Sequence, residues 1–169
     1  EFEIYPTSPN DTCAILYTSG TTGQPKGAEL THLNLYSNIT TTFLIHLPVL
    51  NFTDGVQKTC LITLPLFHTT GQTVQMNTQM YAGHKVVLLP RFDAKLTLDT
   101  MVAEKVNFWV GVPTMYWALL KYANETGYDI SGVKENMKVC TSGGAPMPVE
   151  VMQAFQAKFG VRVMEGYGL

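Results

Sequence analysis

The stretch NFWVGVPTMYWALLKYANETG, Asn107 to Gly127, decides how the fold reads. It opens with a short apolar run, Asn107 to Gly111, that does not alternate with polar residues, the pattern of a strand covered on both faces. Pro113 follows, suited to the first turn of a helix because its missing N–H would find no partner there. Met115, Tyr116, Leu119, Leu120 and Ala123 then recur at helical spacing, and Gly127 supplies the stop. A buried strand turning directly into an amphipathic helix is half of a βαβ unit.

The same grammar repeats outward in both directions. Strand candidates are Cys13 to Tyr17, Cys60 to Leu64, Lys85 to Leu89, Met137 to Thr141 and Val161 to Glu165. Helical stripes fall between them: Tyr36, Ile39, Phe43, Leu44 and Leu47 after Thr31 as N-cap, then Leu98, Met101, Val102 and Val106. A last stripe, Pro148, Val151, Met152, Phe155 and Phe159, is closed by Gly160 as C-terminal cap. Apolar strands separated by helices imply a mostly parallel sheet with helices on both faces, so the expected class is α/β.

Bulk properties bound the rest. A chain of 169 residues, 46% hydrophobic, suffices for one core. The formal charge of −2, without a basic run, gives no footprint for nucleic acid or an anionic membrane. No run approaches the roughly 20 apolar residues of an integral membrane segment. Cys13, Cys60 and Cys140 are odd in number, far apart and set in apolar runs, which argues against a disulfide framework. With no signal-peptide pattern, the expected compartment is cytoplasmic, and the sequons at Asn10, Asn38, Asn51 and Asn124 read as chance matches. Glu1 and Leu169 both read as cut ends, and there is no internal repeat. No His/Cys cluster has ligand spacing, so no metal site is assigned.

Ligands of such sheets bind beyond the carboxyl ends of the strands. The loop YTSGTTGQPKG, Tyr17 to Gly27, carries glycines that let N–H groups converge, with hydroxyls and one ammonium beside them. Composition alone fits a phosphate cradle and a flexible turn equally. A Walker loop is excluded because Lys26 lies between Pro25 and Gly27, and Gly20, Gly23 and Gly27 lack dinucleotide spacing. Neither Ser19 nor Ser142 sits in Gly-x-Ser-x-Gly.

That loop closely resembles the signature of the adenylate-forming (AMP-binding) superfamily: acyl-CoA synthetases, luciferases and peptide-synthetase adenylation domains. LPLFH (Leu64 to His68), SGGAP (Ser142 to Pro146) and EGYGL (Glu165 to Leu169) agree in order and spacing, so the resemblance spans nearly the whole chain. It implies that residues 1–169 are a single partial AMP-binding domain, the central part of a large N-terminal domain, with the C-terminal domain absent. The implied reaction joins ATP and a carboxylate into an acyl-adenylate, then transfers the acyl group to CoA.

The resemblance also implies roles. Thr18, Ser19, Gly20, Thr21, Thr22, Gly23 and Lys26 would hold the β and γ phosphates, with Lys26 acting on the departing pyrophosphate. Gly143, Gly144 and Ala145 would lie along adenine, Tyr167 would stack on it, and Glu165, Gly166 and Gly168 complete the nucleotide set. Read as residues alone, these are an ordinary tight turn and a half-buried tyrosine. His68 would sit beside the carboxylate, although a lone histidine after a strand is commonly a satisfied structural group. His32, His46 and His84 have no comparable position. The acyl tunnel would draw on Gly71 to Tyr81 and Val112 to Thr114, with Met76, Met80 and Tyr81 as apolar lining or plain core.

No Asp or Glu occurs from Gly55 to Phe92, so an α-ammonium would lack its partner there and an uncharged acyl or aryl carboxylate is preferred, fatty acids first. The Mg²⁺ ligand of the family falls just beyond Leu169, as do the ribose-binding Asp and the catalytic lysine of the C-terminal domain. The isolated chain is therefore expected not to turn over. The alternatives are an aryl-CoA ligase, a luciferase-like adenylating enzyme, or a non-catalytic ATP-binding module; partners are the carboxylate, ATP and CoA, and oligomeric state is not indicated.

Overall fold

The computed structural model describes residues 3, 5–18, 23–50 and 55–168. In chain order the elements are β1 (Thr12–Thr18), β2 (Lys26–Thr31), α1 (His32–Leu50), β3 (Thr59–Ile62), a π-helix (Thr70–Asn77), α2 (Thr78–Tyr81) and β4 (Lys85–Leu88). There follow α3 (Ala94–Ala103), β5 (Phe108–Gly111), α4 (Pro113–Thr126), α5 (Ser131–Asn136), β6 (Val139–Ser142), α6 (Val149–Phe159) and β7 (Val163–Glu165).

Five strands form a wholly parallel sheet in the order β4-β3-β5-β6-β7. Every residue of β3 and β5 is buried, which is why their sequences do not alternate. Successive side chains still point to opposite faces. Leu61, Trp109, Cys140 and Val163 face one way, onto Leu98 and Met101 of α3, Tyr116 and Leu119 of α4, and Phe155 and Phe159 of α6. Trp109, Tyr116, Phe155 and Phe159 form an aromatic chain with successive centroids 4.7, 4.8 and 4.2 Å apart. Each such pair contributes about 0.5–1.5 kcal/mol beyond area burial. Cys60, Ile62, Phe108, Val110 and Val139 face the other way, against Val74 and Met76 of the π-helix and the ring of His46 from α1, 4.8 Å from Phe108. Helices thus cover both faces, as the strand pattern requires.

Helix ends follow their sequence signals. Pro113 opens α4, and Gly127 ends it at φ 66°; Gly160 ends α6 at φ 66°. Thr31 and Asn34 cap α1 reciprocally, each side-chain oxygen accepting the other's backbone N–H at 3.2 and 3.0 Å. All three cysteines are free thiols, two of them buried in the sheet.

Two expectations change. Cys13 to Tyr17 is a strand, but it pairs antiparallel with β2 in a separate two-stranded sheet. Residues 19–25 are too few for the crossover of a dozen or more that a parallel connection needs, so the chain can only fold back on itself. The π-helix and α5 carry no apolar stripe at helical period, which is why neither appears in the sequence pattern.

Candidate nucleotide and carboxylate site

The glycine-rich loop is the turn of the β1–β2 hairpin. Thr18 stands opposite Lys26 as the closing pair, with Tyr17 opposite Gly27. Gly27 is tightly fitted: a Cβ there would lie 2.9 Å from Cγ2 of Ile15. Gly23 has open space around it, but its φ of +80° is one that L side chains rarely adopt. Lys26 is exposed and makes no ion pair among the described residues. Ser19, Gly20, Thr21 and Thr22 lie outside the described residues. Among the described residues no helix starts at this loop, so positive potential for a polyanion would come from the Lys26 ammonium rather than from a helix dipole.

The second and third segments meet at the carboxyl edge of the parallel sheet. The N–H of Gly166 donates to the Ser142 carbonyl at 2.8 Å, and that of Gly143 to Gly111 at 3.4 Å. A carboxylate oxygen of Glu165 accepts the Met147 N–H at 3.0 Å, tying the turn after β6 to the end of β7. A Cβ at Gly143 would lie 3.1 Å from the Gly166 carbonyl oxygen, and Gly144 has φ +77°. The absence of side chains therefore lets these two turns lie flat on one another. Gly144, Ala145, Gly166 and Gly168 are exposed, and Tyr167 is 91% exposed, an open aromatic face beside them. The structure thus brings Gly143, Gly144, Ala145, Glu165, Gly166, Tyr167 and Gly168 into one corner.

His68 lies past β3, on the same edge but two strands from β6, about 10 Å across the sheet. Its Nδ1 accepts the Thr70 N–H at 3.2 Å, its own N–H donates to Pro65 at 3.1 Å, and its carbonyl accepts from Gln72 at 3.0 Å. His68 is accordingly a structural bracket for the start of the π-helix. With Nδ1 accepting, the neutral ring carries its proton on Nε2, and the exposed ring can offer that N–H to a carboxylate.

The tunnel expectation is partly revised. Met76 packs half-buried under the sheet, but Met80 and Tyr81 are 63% and 50% exposed. They precede β4, whose first residue Lys85 is level with Thr59 at the amino end of β3, the edge opposite the glycine turns. Tyr81 instead meets Tyr36 and Phe43 edge-on, at 6.1 and 5.5 Å. A groove of about 630 Å³ lined by Thr7, Pro9, Leu33, Tyr36, Ile39 and Asn77 meets the expected tunnel segment only at Asn77 and holds none of the expected nucleotide or carboxylate residues.

Sequence reasoning placed Gly71 and Gln75 only within the tunnel segment and missed the close fit of Gly71, whose Cβ would lie 2.3 Å from the Pro65 carbonyl oxygen, and the burial of the polar residues Thr63 and Gln75. A glycine three residues after His68, within a segment otherwise rich in Thr and Gln, was the available signal. Among the described residues no three His, Cys, Asp or Glu side chains converge on a metal position, and Glu165 is engaged with Met147. The described donor set does not fit Mg²⁺. Nor is any helix among them long and apolar enough to cross a membrane.

Comparison with known proteins agrees with this geometry. The family described as AMP-binding enzyme matches residues 2–169. A long-chain-fatty-acid–CoA ligase of Bacillus subtilis is 38% identical over 95% of this chain and 27% of its own length. A feruloyl-CoA synthase of Amycolatopsis is 33% identical over 97% of this chain and 31% of its own. The solved o-succinylbenzoate coenzyme A synthetase of Bacillus subtilis, in complex with ATP and magnesium ion, superposes with TM-score 0.79 at 30% identity, covering all of this chain and 33% of that one. The chain spans about three tenths of the length of these relatives. With the β1–β2 hairpin strands, the paired glycine turns and the parallel sheet in place, the chain belongs to the AMP-binding enzyme family.

Proposed function

We propose that residues 1–169 are one partial domain of a protein that activates a carboxylic acid with ATP and passes the acyl group to CoA. A carboxylate oxygen attacks the α-phosphorus and pyrophosphate leaves; the CoA thiol then attacks the acyl carbon, releasing AMP. The observation that carries this reading is the corner at Gly143–Ala145 and Glu165–Gly168, a largely exposed glycine-rich surface flanked by an open tyrosine. There the glycines admit adenine and Tyr167 stacks on it.

Thr18, Gly23 and Lys26, with Ser19, Gly20, Thr21 and Thr22, hold the outer phosphates, and Lys26 neutralises charge growing on the pyrophosphate. His68 offers Nε2–H to the carboxylate. Mg²⁺ as the counter-ion of the phosphates is supported by the similar synthetase solved with ATP and magnesium ion. A fatty acid is the proposed substrate, supported by the absence of Asp and Glu from Gly55 to Phe92 and by similarity to the fatty-acid ligase. The cytoplasm is the proposed compartment, which three free thiols suit.

ATP–pyrophosphate exchange by the full-length protein, offered fatty, aryl and amino carboxylates, tests the reading. Exchange with fatty acids alone is expected. Exchange with aryl acids alone would move the substrate class, and none with any carboxylate would remove the activity.

A further inference from the structure

The sheet changes its direction of growth at β3, with β4 on one side and β5 on the other. The gap between β3 and β5 is therefore the topological switch point, where open α/β sheets take ligands. Its ladder is short. β3 and β5 pair only at Cys60 with Phe108 and Leu61 with Trp109. The flanking ladders run further, to Ile62 with Leu88 on one side and Gly111 with Ser142 on the other.

At the parting, one side chain replaces the ladder. Nε2 of Gln75, from the π-helix, donates to the Leu61 carbonyl on β3 at 3.1 Å and to the Val110 carbonyl on β5 at 3.4 Å. Gln75 is 0% exposed, and its Oε1 has no partner among the described residues. An amide is costly to bury unless bonded, so its position is set by the two carbonyls it bridges. From the opposite face Trp109 Nε1 donates to Thr63 Oγ1 at 3.0 Å, again joining β5 to β3 beyond the last ladder pair. The splay is thus clamped above and below by buried polar contacts.

We propose that Gln75 is a positioning residue for the carboxylate substrate: its amide bridges the parted ends of β3 and β5 and fixes the width of the crevice between them. The inference rests on the carboxylate-activating reading above, because that crevice opens between the Leu64–His68 segment and Val112–Thr114. Gln75 itself touches no substrate. It acts through the two strands, whose ends carry the groups around the carboxylate. The glycine corner for ATP is held by the β6–β7 ladder and by the Met147–Glu165 and Gly166–Ser142 bonds, none of which involves Gln75, so a change at Gln75 leaves it in place.

The test is steady-state exchange kinetics of the full-length enzyme with the carboxylate class that wild type accepts, comparing Gln75→Met, which keeps volume and loses both donors, with wild type. The expected result is a fall of about tenfold in kcat/KM for the carboxylate, with KM for ATP within about twofold. A merely structural role would lower the amount of folded enzyme and leave both constants per active site unchanged; that outcome, or equal shifts in both KM values, overturns the proposal. Should Gln75→Met not fold, Thr63→Val removes the opposite clamp without changing shape, and it must show the same one-sided loss. Wild type that fails to exchange with any carboxylate overturns the proposed function and this inference together, whereas normal wild-type exchange with an unchanged variant overturns only the role of Gln75.

Discussion

A carboxylate oxygen of Glu165, the last residue of β7, accepts the backbone N–H of Met147 at 3.0 Å and so locks the turn leaving β6 against the strand beside it. This bond joins both halves of the candidate adenine corner, and Gly166 adds a second tie through Ser142 at 2.8 Å. Only the acceptor oxygen is needed for the contact. Glu165→Gln should therefore keep ATP affinity in the full-length protein, while Glu165→Ala weakens it about fivefold, the equivalent of one modest hydrogen bond near 1 kcal/mol. Calorimetric titration with ATP distinguishes them. Equal losses in both variants would mean that the charge of Glu165, not its bond to Met147, matters to the nucleotide.

Gly71 makes a sharper prediction about the neighbouring segment. A methyl group there would lie 2.3 Å from the Pro65 carbonyl oxygen and 2.9 Å from that of Leu64, both backbone atoms. Neither can rotate away, so Gly71→Ala must push the π-helix off the segment that carries His68. The expected cost is about 1–3 kcal/mol, typical of overpacking, read as a lower urea midpoint of the full-length protein. Gly55→Ala serves as the contrast, since that glycine has open space and only an unfavourable φ of +72°. It should cost about 1 kcal/mol and leave the site untouched.

How far the fold was legible follows from which force fixes each element. β3 and β5 are legible because a strand covered on both faces does not alternate with polar residues, β6 through its apolar start at Val139 and Cys140, and α4 because Pro113 and Gly127 mark its ends chemically. β1 reads correctly as a strand, yet its partner and direction are set by the short connection to Lys26, not by its own residues. The π-helix was hidden because Gly71, Thr73 and Gln75 are buried against backbone carbonyls and a neighbouring chain segment rather than in an apolar stripe. The glycine turns of the candidate site stand out as motifs because close backbone approach demands glycine. Gln75 could not stand out, since a buried amide becomes meaningful only once two strands are seen to part beside it.

Lys26 closes the hairpin opposite Thr18 and makes no ion pair among the described residues. The ladder fixes its backbone, and its exposed ammonium can meet charge that grows on a leaving pyrophosphate. Lys26→Ala in the full-length enzyme should slow adenylation by roughly 10²–10³, as removal of one preorganised donor does elsewhere. Rapid-quench measurement of acyl-adenylate gives the rate directly. An unchanged rate would take Lys26 out of the mechanism.

His46 predicts an acid limb of stability. It is 4% exposed, its Nδ1 has no partner among the described residues, and its ring lies 4.8 Å from Phe108. Burial lowers its pKa below the ordinary 6.5, because a charged imidazolium loses its hydration there. In the unfolded chain the ring takes up a proton near 6.5, while in the folded protein it resists. The unfolded state therefore binds more protons as pH falls through that value, and by linkage stability declines until folded His46 is itself protonated. Urea midpoints of the full-length protein should drop between about pH 7.5 and 5.5, and His46→Leu, apolar and of comparable size, should flatten that drop. An identical pH slope in the variant would assign the acid sensitivity to another group and leave His46 as a neutral filler beneath Phe108.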